Sequence, residues 1–246
     1  QPREPALTGS AAGSLWAAAW LCFFEAMTTA LIWDCDGVLV DSEKHSCSAW
    51  LPVLRRRGID VDMDYIETFI GRSDQDLLAA LTEGSGLILD DDILDERQQE
   101  YFRLAGGATE AFPGLPDLLA SLVQDNVPMA VASSGQHEKI RFSLQQAGIN
   151  DIFDVLCSAT EVAHGKPAPD LFLLAAERLD VSPADCAVIE DSVFGLQGAR
   201  AAGMRALGFT SSHAADLLLE AGAELTFDDY SQLRSLIWPD LLNSLK

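Results

Sequence analysis

Short apolar runs alternate with amphipathic stretches along most of the chain, and this alternation limits the possible folds more than any other feature. The chain has six strand-like runs: Ala30–Trp33, Pro128–Ala132, Val155–Cys157, Cys186–Ile189, Arg205–Gly208 and Glu224–Phe227. Helical patterns accompany them at Leu115–Asp125, Glu138–Ala147, Pro169–Leu179, Gly195–Ala202, Ala214–Ala221 and Tyr230–Leu242. Alternating strands and helices predict βαβ units with right-handed crossovers. We therefore expect an α/β fold built on a parallel sheet.

The alternation is interrupted between the first two strands. About 95 residues separate Trp33 from Pro128, far more than one crossover requires. Most of this gap reads as successive helices, and Glu110–Gly114 has the composition of a return turn. We therefore predict an all-helical module, residues 43–109, inserted into a core formed by residues 27–42 and 110–246.

The first 26 residues are predicted to form an extension outside the fold. Leu15–Phe24 is apolar, but it is too short to span a membrane. No basic region precedes it and no clear cleavage site follows it, so a secretory signal is disfavoured. A weak signal anchor is the alternative.

Charge and cysteine usage exclude several classes of function. The chain has 16 Lys and Arg against 38 Asp and Glu, which gives a net charge of −22. Nucleic acids and anionic membrane surfaces would be repelled, so neither is expected as a partner. The five cysteines form no CxxC pair, which favours reduced thiols and a cytoplasmic location.

Two aspartates follow the first strand, at the sheet edge where ligands bind in open α/β folds. Asp34 and Asp36 are separated by one residue, so strand alternation directs both side chains the same way. Two adjacent carboxylates require a cation, and Mg²⁺ binds one or two carboxylates together with phosphate oxygens. The alternative is a pair of solvated acids at a strand end.

Three further strands end in polar residues of complementary character. Ser133 and Ser134 follow the second strand, Lys166 follows the third, and Glu190 and Asp191 follow the fourth. Taken singly, each group also has an ordinary structural explanation: the serines an ordinary turn, the lysine a surface loop, and the acids a helix cap. A parallel sheet brings all of them to one edge together with the first acid pair, and this coincidence points to an anion site with a metal.

These motifs resemble those of the haloacid dehalogenase superfamily, in its subgroup of phosphatases and phosphomutases with a helical cap. The run from Asp34 to Val38 matches the first motif, Ser133 the second, Lys166 the third, and Glu190 with Asp191 the fourth. The resemblance covers about residues 28–230. It implies a Rossmann-like core, the inserted module as a cap over the site, and a small phosphorylated metabolite as substrate.

The resemblance also implies roles for these residues. Asp34 would attack phosphorus to form an aspartyl-phosphate, and Asp36 would act as general acid and then as base. Mg²⁺ would be held by Asp34, the carbonyl of Asp36 and Asp191, and Glu190 would orient metal-bound water, either directly or from behind the direct ligands. The phosphoryl oxygens would be held by Ser133, the N–H of Ser134 and Lys166.

Within this family we expect a phosphatase, with a β-phosphoglucomutase-like mutase as the alternative. The mutases place a histidine where this chain has Ser46, and a cap arginine where it has Asp74. A mutase must also hold a second phosphate, whereas this module carries thirteen acids and two arginines from Asp60 to Glu100. Arg72 is the candidate in the module for substrate contact, and a structural ion pair is the other interpretation of it.

Other chemistries agree less well with the sequence. A dehalogenase needs no second aspartate, and phosphonate cleavage needs a cap lysine, for which only Lys44 is near. A non-catalytic binding protein would be expected to lack at least one of the four motifs, and all four are present. The chain is expected to be a monomer.

Overall fold

The computed structural model describes residues 28–83, 89–90, 92–233 and 235–236. Its centre is a parallel sheet with the spatial order β3-β2-β1-β4-β5-β6. The strands are β1 (Ala30–Trp33), β2 (Met129–Ser133), β3 (Val155–Ser158), β4 (Cys186–Glu190), β5 (Arg205–Phe209) and β6 (Leu225–Phe227). The α/β class and the parallel, Rossmann-like sheet predicted from the sequence are confirmed.

Alternation along the strands explains why both faces of the sheet are covered. In β1, Leu31 and Trp33 pack into one apolar cluster with Val131 and Ile189. Ala30 and Ile32 point the other way, into a second cluster that packs under helices. A strand whose neighbours bury both faces reads as a continuous apolar run, which is why these segments are recognisable in the sequence.

Helices connect the strands and cover the sheet. The helices of the core are α5 (Leu115–Gln124), α6 (His137–Gln146), α7 (Asp170–Leu179), α8 (Val193–Ala201) and α9 (Ala215–Glu220). The predicted bounds of strands and helices agree with these to within two residues. The final helix begins at Tyr230 as predicted, and its predicted end at Leu242 falls outside the described residues, as does the predicted extension 1–26.

The described residues of the long gap between β1 and α5 form four helices. They are α1 (Glu43–Arg56), α2 (Met63–Glu67), α3 (Asp74–Thr82) and α4 (Ile93–Ala105). Their apolar sides form a cluster of their own, which includes Trp50, Leu54 and Leu77. Ser73 begins α3 with a reciprocal capping box, in which Asp76 N–H donates to Ser73 Oγ and Ser73 N–H donates to the Asp76 carboxylate.

Two further sequence expectations concern cysteines and membranes. Cys35, Cys47, Cys157 and Cys186 are all buried, and none of them forms a disulfide; Cys22 lies outside the described residues. Within the described part of the chain, no helix combines the length and the apolar character needed to cross a membrane.

Candidate active site

The order in which successive strands are placed in the sheet reverses at β1, which leaves a crevice between the carboxyl ends of β1 and β4. From β1 the sheet extends to β2 and β3 on one side and to β4, β5 and β6 on the other. Ligands bind at this kind of switch point in open parallel sheets. The Asp34 N–H donates to the Ile189 carbonyl at 3.0 Å, so the last residues of β1 and β4 are held side by side.

Lys166 joins the carboxylates that follow these two strands. Its Nζ donates to Asp34 Oδ1 and, at 2.6 Å, to Glu190 Oε1. Lys166 is 4% exposed, and Glu190 is fully buried. The loop after β3 thus supplies a cation to the site, as its position in the sequence suggested.

Both oxygens of Glu190 are engaged by the protein. While Oε1 accepts from Lys166, Oε2 accepts the N–H groups of Asp191 and Ser192 at 3.1 and 3.0 Å and the Ser192 hydroxyl at 2.8 Å. Gly195 makes room for this carboxylate, since a Cβ there would lie 1.9 Å from Oε1. Glu190 is therefore a rigid buried anchor of the loop after β4.

The loop that follows β5 holds Asp191. The hydroxyls of Ser211 and Ser212 are within hydrogen-bond distance of Asp191 Oδ2, the former at 3.2 Å. The other neighbour of this oxygen is Gly37, whose φ is +77° and at which a Cβ would lie only 2.1 Å from Oδ2. The turn after β1 and the carboxylate after β4 are therefore closely packed.

Asp36 has a different set of partners. Lys139, on α6, donates to Asp36 Oδ2 at 2.7 Å, and the Ser42 hydroxyl donates to Oδ1. Lys139 is 7% exposed. Burial by itself would raise the pKa of Asp36, but the Lys139 ammonium and the two hydrogen bonds outweigh it and hold the pKa below its usual value.

Ser133 and Ser134 stand at the end of β2. Ser133 is 1% exposed, and its Oγ accepts the Gly135 N–H at 3.1 Å. The Gly135 carbonyl in turn accepts the Ser158 hydroxyl at 2.7 Å. The turn that would surround an anion is thereby fixed by the neighbouring strand β3.

A cavity of about 70 Å³ lies where these strand ends meet helices α1 to α4. The predicted site residues that line it are Asp34, Asp36, Arg72, Ser133, Ser134 and Asp191. The remaining two, Lys166 and Glu190, lie behind Asp34. All eight predicted residues are thus found around one point.

Arg72 takes part in an ion pair at the edge of the cavity. It lines the cavity, and it also pairs with Asp76 at 3.2 Å. Its guanidinium carbon lies 5.5 Å from the ring centre of Phe69 and 5.1 Å from that of Phe194. Phe194 belongs to α8, so Arg72 contacts the core from the helical insertion.

Three carboxylates at the edge of the cavity lie close enough together to hold a metal ion. Asp34, Glu190 and Asp191 each offer an oxygen within 4.8 Å of the others. Burial raises the pKa of Asp34 to about 7, although the Lys166 ammonium opposes the shift. Burial and the Glu190 carboxylate raise the pKa of Asp191 well above its usual range. Buried, crowded hard oxygen donors with one lysine among them fit a small divalent cation such as Mg²⁺.

Sequence reasoning did not identify several residues of this site. Lys139 falls in a predicted helix but in none of the motifs. Ser42, Ser211, Ser212 and Arg97 also lie outside the motifs, and the last of these lines the cavity. Lys139 is 103 residues from Asp36 along the chain. A lysine in the first turn of an amphipathic helix carries no signal that it is buried, so only the packing of α6 reveals it.

Comparisons with known proteins agree with this arrangement. The family model described as a haloacid dehalogenase-like hydrolase matches residues 28–203. Fructose-1-phosphate phosphatase YqaB of Escherichia coli is 35% identical over 178 residues, which are 72% of this chain and 94% of that protein. The crystal structure of β-phosphoglucomutase from Clostridium difficile superposes with a TM-score of 0.77 at 26% identity, covering 89% of this chain and 99% of that one.

A plant protein shows the same unit in a larger context. Protein SUPPRESSOR OF QUENCHING 1, chloroplastic, of Arabidopsis thaliana is 34% identical over 212 residues. The match takes up 83% of this chain but only 20% of the plant protein. Fold, site geometry and family model lead to one conclusion: the chain belongs to the haloacid dehalogenase-like hydrolases, and it is a phosphatase-type enzyme of that family.

Proposed function

We propose that the protein hydrolyses small phosphate monoesters, such as sugar phosphates, in a Mg²⁺-dependent reaction through a phosphorylated Asp34. The observation that carries the proposal is the separation of two neighbouring aspartates into different environments. Asp34 lies among Lys166, Glu190 and Asp191, whereas Asp36 is held by Lys139. A nucleophile and an acid–base group need such a division of environments.

In this proposal Asp34 attacks phosphorus with the carboxylate oxygen that Lys166 does not hold. The bond to the leaving oxygen breaks, and Asp36 supplies the proton that this oxygen requires. Because Lys139 lowers the pKa of Asp36 in the free protein, Asp36 takes up this proton when the phosphate anion binds beside it and raises its pKa. In the second step Asp36 takes a proton from the attacking water, and the bond between phosphorus and Asp34 breaks. Lys139 and the Ser42 hydroxyl keep the Asp36 carboxylate in one orientation for both steps.

The phosphoryl oxygens are proposed to be held by the Ser133 hydroxyl, the Ser134 N–H and Lys166. Asp34, the backbone carbonyl of Asp36 and Asp191 would hold Mg²⁺, which supplies positive charge to the phosphoryl group. Glu190 fits a supporting role, since both of its oxygens already accept hydrogen bonds from the protein.

The helical insertion is proposed to act as a cap, residues 43–109 on a core of residues 27–42 and 110–246. The cavity is lined from both parts, and Arg72 is the proposed cap contact to substrate. We further propose a cytoplasmic monomer without nucleic-acid or membrane partners, which the net charge of −22 and the unpaired state of the four described cysteines support.

A mutase remains the second candidate, because the β-phosphoglucomutase of Clostridium difficile has a closely similar fold. The cavity departs from the mutase pattern at Ser46, which lines it in place of a histidine. Conversion of β-glucose 1-phosphate to glucose 6-phosphate in the presence of a bisphosphate primer distinguishes the two.

The proposed function is tested by phosphate release from p-nitrophenyl phosphate and a panel of sugar phosphates. We expect release with Mg²⁺, none with EDTA, and a loss of at least about 1,000-fold in Asp34→Asn. Asp41→Asn, which changes an exposed carboxylate outside the cavity, is the matched control and should retain activity. Folded, Mg²⁺-supplied protein that releases no phosphate from any ester would refute a phosphatase.

A further inference from the structure

The loop after β5 contacts both turns that supply the proposed metal ligands. Residues 211–213 of this loop follow Thr210 at the carboxyl end of the strand. Asp34 and the carbonyl of Asp36 belong to the turn after β1, whereas Asp191 belongs to the turn after β4. The loop supplies no group to the proposed reaction itself. Its side chains nevertheless lie against the residues that do.

Ser211 connects the two turns. Its hydroxyl donates to the Gly37 carbonyl and lies 3.2 Å from Asp191 Oδ2. One side chain thus contacts the backbone after β1 and the carboxylate after β4. Because the proposed metal ligands come from these same two turns, Ser211 helps to fix the distance between them.

The next two residues of the loop hold Asp191 at its side chain and at its backbone. The Ser212 hydroxyl donates to Oδ2, the oxygen that Ser211 also approaches. His213 Nδ1 lies 2.9 Å from the Asp191 backbone carbonyl, and since a carbonyl only accepts, Nδ1 carries the hydrogen. No described residue donates a hydrogen bond to the other carboxylate oxygen, Oδ1. The loop therefore fixes the carboxylate through one oxygen and leaves the second available to a metal.

The loop orients Asp191 without neutralising it. Lys166 donates to both Asp34 and Glu190, so these two carboxylates already have a cation. The hydrogen bonds to the Asp191 carboxylate come from neutral hydroxyls, and among the described residues no lysine or arginine pairs with it. Asp191 is 2% exposed, so its ionised form is stable only beside a cation. Its charge is thus left to a metal ion.

The loop is itself anchored to the sheet. The N–H and the hydroxyl of Thr210 both donate to the Phe227 carbonyl on β6, at 3.0 and 3.3 Å. The ring of Phe209, the last residue of β5, lies 4.8 Å from that of Tyr230, whose hydroxyl donates to the Val38 carbonyl. A loop that is fixed at its base in this way can hold a carboxylate in one position.

We propose that Ser211 and Ser212 are positioning residues for the metal site, which fix the Asp191 carboxylate before the ion binds and thereby strengthen Mg²⁺ binding. Loss of the hydrogen-bond partners of a ligating carboxylate costs about 10- to 100-fold in metal affinity. Mg²⁺ requires near-ideal octahedral geometry, whereas Ca²⁺ accepts flexible sites, so a rigid Asp191 also favours Mg²⁺ over Ca²⁺. This inference rests on the metal site of the proposed function and adds two residues to it.

The test measures metal binding directly, without substrate. Mn²⁺ is the probe, because electron paramagnetic resonance distinguishes its free and bound forms, and Mg²⁺ and Ca²⁺ are added as competitors. The wild type is compared with Asp191→Asn, Ser211→Ala, Ser212→Ala and Ser212→Thr. Ser182→Ala is the matched control, because Ser182 is exposed and precedes β4, at the end of the sheet away from the cavity.

We expect Asp191→Asn to lose the Mn²⁺ site of the wild type, which locates the probe. Ser211→Ala and Ser212→Ala should each raise the dissociation constants for Mn²⁺ and Mg²⁺ by about tenfold or more. The dissociation constant for Ca²⁺ should rise less, so that the preference for Mg²⁺ falls. Ser212→Thr keeps the hydroxyl and should recover most of the affinity, whereas Ser182→Ala should bind all three ions as the wild type does.

The alanine variants are expected to fold, since Ser211 is exposed and Ser212 is half-buried. In phosphate release, the Mg²⁺ concentration that gives half the maximal rate should rise by the same factor as the dissociation constant. The Mn²⁺ titration needs no turnover. Absence of phosphate release would therefore defeat the proposed phosphatase without deciding the role of the two serines, which the titration decides separately.

Three results would overturn the proposal. The first is a wild type that binds no Mn²⁺, or binds it as tightly after Asp191→Asn. The second is a pair of serine variants with wild-type affinity for Mn²⁺ and Mg²⁺. The third is an equal loss of Mg²⁺ and Ca²⁺ affinity together with a lower free energy of unfolding of the metal-free protein in urea, since the serines would then only support the fold.

Discussion

At the scale of single residues, neighbouring aspartates differ because their surroundings differ. Burial raises the pKa of Asp34 to about 7, whereas Lys139 and Ser42 hold the pKa of Asp36 below its usual value. The sequence pattern predicts the acid pair, since the aspartates follow a strand. It does not predict their different environments, because the lysines responsible come from distant loops and helices.

Gly37 provides a residue-scale prediction. Its φ of +77° and the 2.1 Å approach of a Cβ to Asp191 Oδ2 mean that Gly37→Ala combines backbone strain with a collision at a proposed metal ligand. We expect Mg²⁺-dependent phosphate release to fall by about 100-fold, as for other misplaced catalytic groups.

Gly58→Ala is the control that introduces backbone strain without a steric collision. Gly58 has a φ of +72°, but nothing lies within 4 Å of a Cβ built there. The Gly58→Ala protein should have a free energy of unfolding about 1 kcal/mol lower than the wild type, as measured by urea denaturation, and should keep full activity. Equal activity in the two variants would show that contact between Gly37 and Asp191 is unimportant.

At the scale of elements, strand ends are more predictable than the loops that complete the site. The residues after β1, β2, β3 and β4 could be assigned to one edge because parallel strands end together. The loop after β5 could not be assigned. Ser211 and Ser212 look like an ordinary polar turn, and their contact with Asp191 depends on how β5 pairs with β4.

An ion-pair group joins the turn after β3 to α7 and α6. Glu161 accepts hydrogen bonds from Arg178 at 2.6 Å and lies 2.7 Å from His137 Nε2. Hydrogen bonds from Arg178 lower the pKa of Glu161 to about 2, against about 4.5 for a free glutamate. The pKa of Glu161 is lower in the folded protein than in the unfolded chain. The ion pair therefore stabilises the folded protein above about pH 4.5, and this contribution is lost as the pH falls toward 2.

Glu161→Gln should therefore lower the free energy of unfolding at pH 7 by about 1 kcal/mol. The difference from the wild type should shrink steadily between pH 4.5 and pH 2, as measured by urea denaturation at a series of pH values. Glu177→Gln, an exposed site on the same helix as Arg178, is the control. A difference that persists unchanged to pH 2 would contradict the assigned ion pair.

At the scale of the whole molecule, half of the few lysines of this strongly acidic chain lie at the candidate active site. Two of its four lysines, Lys139 and Lys166, are buried against the carboxylates that we propose to be catalytic. The sheet and the helical insertion could be predicted from periodicity and from the length of the gap. The direction in which the Arg97 side chain points could not be predicted in this way. It depends on how α4 packs against α1, and both helices carry apolar residues on more than one side.

The central claim, a phosphoryl group carried on Asp34 and released with the help of Asp36, is tested most directly in Asp36→Asn. p-Nitrophenyl phosphate has a good leaving group, so the first step needs little acid catalysis, whereas the second step lacks its base. The account predicts a rapid burst of about one p-nitrophenol per enzyme. It also predicts an acid-quenched protein heavier by one phosphoryl group, located on Asp34 by peptide mass spectrometry. Turnover with no phosphoryl group on Asp34, or with that group on another residue, would contradict it.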